Sequence, residues 1–325
     1  MRRPPRKVLL TWPFRVQYPM LQVVIVGDHD SGKTTFLGLI YAALVRSGSD
    51  KTDDLRFHAA LDSIEEITGL FQQLMSGAFP DSATKEGMHE LSLEVGFRSP
   101  RRGAVPRLGS RNWTAGASMT LRFTLPGSLD EQIPGFLQGS SVYQGVWRNV
   151  LDGDAIIILV DSAKLAPKAE DSEPGSLGTY DGRVESLLAA IQRWRERGGR
   201  DVLHPIFVFS KFDSVGPGVL RAADVEATPP DIRKTRPRAA YAKALLEPNL
   251  PRTLAKVLGT GRGKLRFGRP NYFFSWVRTE GNAPGPGERI RLRRIDGGGW
   301  EPDYSRDEYL ALVDALGEIA ARTKE

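Results

Sequence analysis

Eight consecutive residues, Gly27-Asp28-His29-Asp30-Ser31-Gly32-Lys33-Thr34, satisfy the spacing G-x-x-x-x-G-K-[ST]. The chemistry that this spacing permits is the binding of a polyphosphate. The glycines let the backbone bend until several N–H groups face one anion, and Lys33 adds a charge that reaches the β- and γ-phosphates. The Thr34 hydroxyl is a hard oxygen ligand suited to Mg²⁺. Such a loop works only between a strand and a helix, because the helix N-terminus contributes its free amides and its positive dipole end. Both flanks are present. Leu21 to Val26 is an apolar run with the character of a buried parallel strand, and Thr35 to Val45 has a mostly apolar helical pattern. The expected ligand is a nucleoside triphosphate with Mg²⁺, held by Gly27, Asp28, His29, Asp30, Ser31, Gly32, Lys33, Thr34 and Thr35, with Lys33 acting on the transferring phosphate and Thr34 on the metal.

A second cluster with chemical meaning follows the apolar run Pro205 to Phe209, in Ser210-Lys211-Phe212-Asp213. Guanine presents two donors, N1–H and N2–H₂, on one edge, and a single carboxylate can accept both in a bidentate pair. Adenine cannot satisfy a carboxylate in that position. Asp213 supplies a carboxylate of that kind at the end of this run.

These residues need a scaffold that brings several strand ends to one edge. Residues Arg56 to Met75 space Leu61, Ile64, Ile67, Leu70, Phe71 and Leu74 as on an amphipathic helix. Leu91, Leu93, Val95 and Phe97 alternate as a strand, residues 98–117 read as a long Arg/Gly/Ser/Pro loop, and Ser118 to Leu125 reads as the returning strand. A short helix is expected over Ser141 to Leu151. Ala155 to Val160 (AIIILV) reads as a central strand that delivers Asp161 and Ser162 to its C-terminal edge. Asp181 to Arg197 and Ala239 to Leu258 have helical patterns, the latter divided by Pro248 and Pro251. Residues 214–238 are polar and proline-bearing, and an irregular segment is expected there. Asn271 to Phe274 begins the last strand, residues 280–304 read as a peripheral loop around a strand-like Arg289–Arg293, and Arg306 to Arg322 reads as a capped helix. Alternating strands and helices predict an α/β fold: a three-layer, doubly wound, mostly parallel sheet with one antiparallel edge strand. The domain reading is a basic segment 1–20 and a single unit 21–325 carrying insertions at about 47–80, 98–117 and 214–268.

Taken together, Gly27–Thr34, Leu125-Pro126-Gly127, Ser210–Asp213 and Ser275-Trp276-Val277 occur in an order that resembles the Ras-like small GTPase superfamily of P-loop proteins (TRAFAC class), over about residues 21–278. The insertions are similar to those of prokaryotic double-GTPase-type members. The resemblance implies a G-domain-like fold, GTP/GDP and Mg²⁺ as ligands, and a molecular switch with slow GTP hydrolysis. It implies that Asp213 reads guanine with Lys211 beside it, that Gly127 senses the γ-phosphate, and that the backbone of Ser275 and Trp276 donates to O6 of the base. Thr84, in a polar loop before the Leu91 strand, is the expected second-switch threonine, on the metal and the γ-phosphate; Thr68 competes with it but lies on a patterned helix. Effector and regulatory proteins would bind the switch face.

Several positions depart from that pattern. A D-x-x-G element is replaced by Thr124-Leu125-Pro126-Gly127, and a threonine hydroxyl holds a metal-bound water less strongly than a carboxylate does. Ser128 stands where a glutamine would orient the attacking water, which lowers intrinsic turnover. His29 and Asp30 occupy positions that are glycines in the best-known members. Two other readings therefore stay open: a nucleotide-bound scaffold with little catalysis, and a P-loop ATPase or kinase acting on a small acceptor.

Composition narrows the setting. The 325 residues carry a net charge of +6 and no cysteine, which excludes disulfides, thiolate metal sites and cysteine nucleophiles. The basic start, Met1-Arg-Arg-Pro-Pro-Arg-Lys7, precedes an apolar stretch broken by Pro13, Arg15 and Pro19, and no run approaches the ~20 apolar residues of a membrane span. A cytoplasmic protein is the expectation, with weak contacts from the basic loops to anionic membrane or nucleic acid.

Overall fold

The computed structural model describes residues 20–49, 55–59, 64–81, 90–100, 113–126, 144–167, 177–196, 202–259, 266–281, 288–295 and 298–322. Its centre is an eight-stranded sheet built from β1 (Met20–Gly27), β2 (Leu55–Ala59), β3 (Glu90–Pro100), β4 (Trp113–Thr124), β5 (Ala155–Asp161), β6 (Val202–Ser210), β7 (Arg266–Phe267) and β8 (Asn271–Phe274). The order is β2-β3-β4-β1-β5-β6, with β7 and β8 both lying along the far side of β6. β1 pairs in parallel with β4 and β5, and β5 with β6; β3 is antiparallel to both β4 and β2. β3 alone runs against the rest.

β1 (MLQVVIVG) and β5 (AIIILVD) are apolar on both faces because both faces are covered, as a parallel sheet requires. Val23, Ile25 and Ile157 turn to a layer formed by α1 (Lys33–Ser49), α2 (Ile64–Met75) and a C-terminal helix, Arg306–Arg322. Val24, Val26, Ile156 and Ile158 turn to the opposite layer of α3 (Gln144–Leu151), α4 (Gly178–Glu196), α6 (Thr235–Asn249) and α7 (Pro251–Leu258). A one-turn α5 (Pro217–Ala222) follows the base loop, and the C-terminal helix is α8. The result is the three-layer α/β arrangement with all parallel strand ends on one edge.

Polar contacts fix the strands along their length. At the foot of β1, the Gln22 N–H donates to Asp154 Oδ2 (2.9 Å) and the Asp154 N–H returns to the Gln22 carbonyl (2.7 Å). A two-stranded hairpin, β9 (Leu292–Arg294) and β10 (Trp300–Pro302), is tied to the C-terminal turn of α1 through Glu301. This carboxylate is 3% exposed and accepts from Arg46 Nε and Arg293 Nε, both at 3.0 Å. Arg238 on α6 reaches the Tyr272 carbonyl of β8 at 2.8 Å and pairs with Glu308 on α8. Burial raises the Glu308 pKa, and Arg238 opposes the shift.

Five expectations need correction. The helix predicted from Arg56 starts only at Ile64: Leu55-Arg56-Phe57-His58-Ala59 is β2, whose backbone pairs with β3 from Phe97 to Leu93. Consequently the antiparallel strand is not the edge, because β2 lies outside it. Residues 214–238 are more regular than their polarity suggests, containing α5 and the first turn of α6, which begins at Thr235. Within 280–304, strand structure falls at 292–294 and 300–302, with isolated bridges Val277–Tyr304 and Thr279–Ile290. The α6/α7 break comes at Leu250, before Pro251; Pro248 sits inside the last turn of α6, where the missing N–H costs one helical hydrogen bond.

Candidate functional site

Gly27 ends β1 at the sheet's C-terminal edge. A Cβ there would lie 2.3 Å from Ser31 Oγ and 3.1 Å from Leu159 Cβ, so no side chain fits. The loop then turns through the Ser31 N–H to Asp28 carbonyl bond (3.2 Å), with Asp30 and Gly32 left-handed at φ 59° and 83°. Glycine takes that conformation freely, and aspartate is among the few side chains that tolerate it. The Phe36 N–H donates to the Gly32 carbonyl at 2.8 Å, which starts α1 directly from the loop. Lys33 Nζ lies back across the loop, 2.9 Å from both the Gly27 and Asp28 carbonyls. Thr34 is 8% exposed in the first helical turn, and Thr35 is half-buried. Ser31 Oγ is buried with no hydrogen-bond partner. The sequence-predicted loop residues thus converge on one helix N-terminus, the arrangement that binds anions.

Next to this loop, β5 ends in Asp161, 1% exposed, and the 3₁₀ turn Ser162–Lys164. Asp161 Oδ1 accepts from the Ala163 N–H (3.2 Å) and Oδ2 from Lys211 Nζ (2.9 Å). Lys164 Nζ crosses to the phosphate loop, 2.5 Å from Asp28 Oδ2 and 3.0 Å from the His29 carbonyl. Asp161 and Lys164 were not assigned site roles from sequence. The available signal was charge placed immediately after the most apolar strand, at the edge where the loop lies.

The Ser210–Asp213 loop follows β6. Lys211 is left-handed (φ 52°) and its ammonium is held by Asp161, beside the phosphate loop's neighbouring strand. Phe212 is buried against Phe274 and Tyr241, while Asp213 points outward and is exposed. Partial desolvation raises the Asp213 pKa; its own backbone hydrogen bond and Arg278 oppose the shift, and Glu288 adds to it. The last strand supports this loop: the Phe212 N–H donates to the Ser275 carbonyl at 3.0 Å.

The amides of Ser275 and Trp276, expected near the base, are engaged within the protein. The Ser275 N–H is spent on the Phe209 carbonyl (2.8 Å), continuing the sheet, and the Trp276 N–H on Ser305 Oγ (3.0 Å), ahead of α8. Their contribution is to brace the base loop. A cleft of about 820 Å³ opens between residues 228–233 and α8; it borders Phe212 and Trp276 rather than the phosphate loop.

On the other side of β1, fewer of the expected residues fall among those described. Thr124 ends β4 opposite Val24 of β1; its side chain is fully buried and Oγ1 has no partner. Thr84, Gly127 and Ser128 lie outside the described residues. Among the described residues there is no group of three or more His, Asp or Glu side chains arranged to hold a metal ion. A Mg²⁺ ion accompanying a triphosphate does not require one, since phosphate oxygens and water fill most of its shell. Thr34 is the described hydroxyl in place for it.

No family model matches the chain, and no curated protein matches it. Among solved structures, the chain is similar to the GTPase-like domain of Ski7 from S. cerevisiae, bound to GDP and inorganic phosphate, with TM-score 0.32 and 13% identity over 78% of this chain. The match spans 43% of that chain, less than half its length. The fold class rests on the strand order and the strand–loop–helix geometry: a mostly parallel, doubly wound α/β domain of the P-loop type. No helix among the described residues is long and apolar enough to cross a membrane.

Proposed function

We propose that the protein is a guanine-nucleotide-binding switch that holds Mg·GTP or GDP at the ends of β1, β5 and β6 and hydrolyses GTP slowly. The observation that carries this reading is the juxtaposition of two loops on one sheet edge. The phosphate loop Gly27–Thr34 opens α1, and Lys211-Phe212-Asp213 stands two strands away, joined to β5 through Asp161. The first suits a polyphosphate, and the second offers an outward carboxylate to a base. In a bound state the loop amides and Lys33 meet the phosphates, Thr34 meets Mg²⁺, and Asp213 accepts from guanine N1–H and N2–H₂. The metal supplies charge neutralisation across the β- and γ-phosphates. Thr84 and Gly127 would order around the γ-phosphate and form the face for effector and regulatory proteins.

The test is nucleotide preference. Fluorescent GTP and GDP should bind with Mg²⁺ and be displaced only poorly by ATP, and Asp213→Asn should move the preference from guanine to xanthine nucleotides. Tight ATP binding indifferent to Asp213→Asn defeats the assignment of the base and favours an ATPase or kinase.

A scaffold reading is favoured by one observation, the buried and partnerless Thr124 hydroxyl where a carboxylate would serve the metal shell. Single-turnover hydrolysis of bound GTP separates the two. Phosphate release faster than that of GTP free in the same buffer supports the switch; an equal rate supports the scaffold.

A further inference from the structure

The phosphate loop contains two carboxylates, Asp28 and Asp30, in a place built to attract an anion. Unit charges a few ångströms apart interact by several kcal/mol where water is partly excluded, so an uncompensated acid in the cradle works against a triphosphate. Each acid has its own partner. His29 Nδ1 stands 2.9 Å from Asp30 Oδ2 at the loop tip, where both side chains are mostly exposed and largely screened. Asp28 is different: its side chain is 15% exposed and its partner, Lys164, comes from 136 residues away on the turn after β5. The same ammonium donates to the His29 carbonyl, so it grips both side chain and backbone of the loop. That turn is itself fixed, because Asp161 caps it through the Ala163 amide and holds Lys211.

We infer that Lys164 is a positioning residue of the phosphate site: by neutralising Asp28 and holding the loop backbone, it leaves the cradle net positive for the phosphate groups of a nucleotide. Lys33 then acts on the phosphates rather than on an internal acid. The turn after β5 also becomes a strut, with Lys164 holding the phosphate loop and Asp161 the base loop, so that the two halves of the site keep a fixed separation. This inference rests on the reading of the loop as a nucleotide site.

The experiment is a double-mutant cycle on the full chain, measuring the Kd of fluorescent GDP with Mg²⁺ by titration at low and high salt. Wild type should bind. Lys164→Met should weaken binding by about tenfold, the size of one partly buried charge interaction, and somewhat less at high salt, where the long-range repulsion between Asp28 and the phosphates is partly screened. Adding Asp28→Asn to Lys164→Met should restore most of the loss, which a loop merely disordered by the lost lysine would not do. Lys164→Arg should stay close to wild type. An unchanged Kd in Lys164→Met, or a loss that Asp28→Asn leaves uncorrected, overturns the role of Lys164 while leaving the nucleotide reading intact. Failure of wild type to bind any nucleotide overturns both. Should Lys164→Met fail to fold, Asp28→Asn alone decides: it should bind more tightly than wild type, since Lys164 is then uncompensated beside the phosphates, and equal or weaker binding defeats the inference.

Discussion

Two sides of the same sheet edge are finished to different degrees. On the side of β5, β6 and β8, every loop is tied to its neighbour: Lys164 to Asp28, Lys211 to Asp161, Phe212 to Ser275, and Trp276 to Ser305. On the side of β4, the described strand ends in Thr124, whose hydroxyl has no partner, and the described residues include no group of three or more His, Asp or Glu side chains placed to hold a metal ion. Binding depends on charges and amides set before the ligand arrives, whereas phosphoryl transfer depends on charge placed around the γ-phosphate in the transition state. Under the proposed function, the described residues on the β5–β6 side would serve binding, and hydrolysis would depend on groups placed around the β4 end.

Mutations can break or sharpen this contrast. The largest effect should come from Lys33→Ala, which removes a charge-assisted contact to the phosphates and should weaken GTP and GDP by about a hundredfold in fluorescence titrations. A loss that small-angle scattering or circular dichroism attributes to unfolding would not count, so the melting curve should stay two-state. Next, Asp213→Asn should cost about tenfold or more in GTP affinity and gain xanthine nucleotides. Acid should have a related effect. The Asp213 pKa is raised by desolvation, so its carboxylate protonates on acidification sooner than an ordinary aspartate, and guanine affinity falls with it. Asp213→Asn should lack that phase of the pH profile. The smallest effect should come from Thr124→Val, which replaces a buried, partnerless hydroxyl with a methyl group of similar shape and should stabilise the fold by about 1 kcal/mol in urea unfolding. Mg²⁺-dependent GTP affinity should be unchanged in that variant. A drop would show that Thr124 serves the metal shell and that the β4 side is better equipped than its bonding suggests.

The phosphate loop was legible in the sequence because its determinants are contiguous: an apolar strand, two glycines, a lysine and a hydroxyl, then a helix. The same holds for β5, β6 and α8, whose patterns are long and strong. What stayed hidden depends on distance along the chain. Lys164 and Asp28 are 136 residues apart, and Asp161 and Lys211 are 50 apart, so neither pairing has a local signature. Nor does sequence say that the Trp276 amide, expected near the base, is engaged by Ser305. β2 was missed because five alternating residues preceded a genuine 3.6-residue pattern and were absorbed into it. Only the backbone pairing with β3 separates the two periods.

The paired contact at the foot of β1 has a consequence for the loop at its other end. In most strands, alternation of polar and apolar residues punishes a one-residue slip, because the slip turns the apolar set outward. β1 has no such protection: Val23 and Ile25 meet one core, Val24 and Val26 the other, and a shifted strand would still bury apolar side chains on both faces. Two other features favour the correct alignment: the close packing that admits only glycine at position 27, and the reciprocal bonding of Gln22 with Asp154. Where Gly27 arrives, and hence where the loop opens, is thus held from both ends of the strand, one of them about 17 Å away at the opposite rim of the sheet.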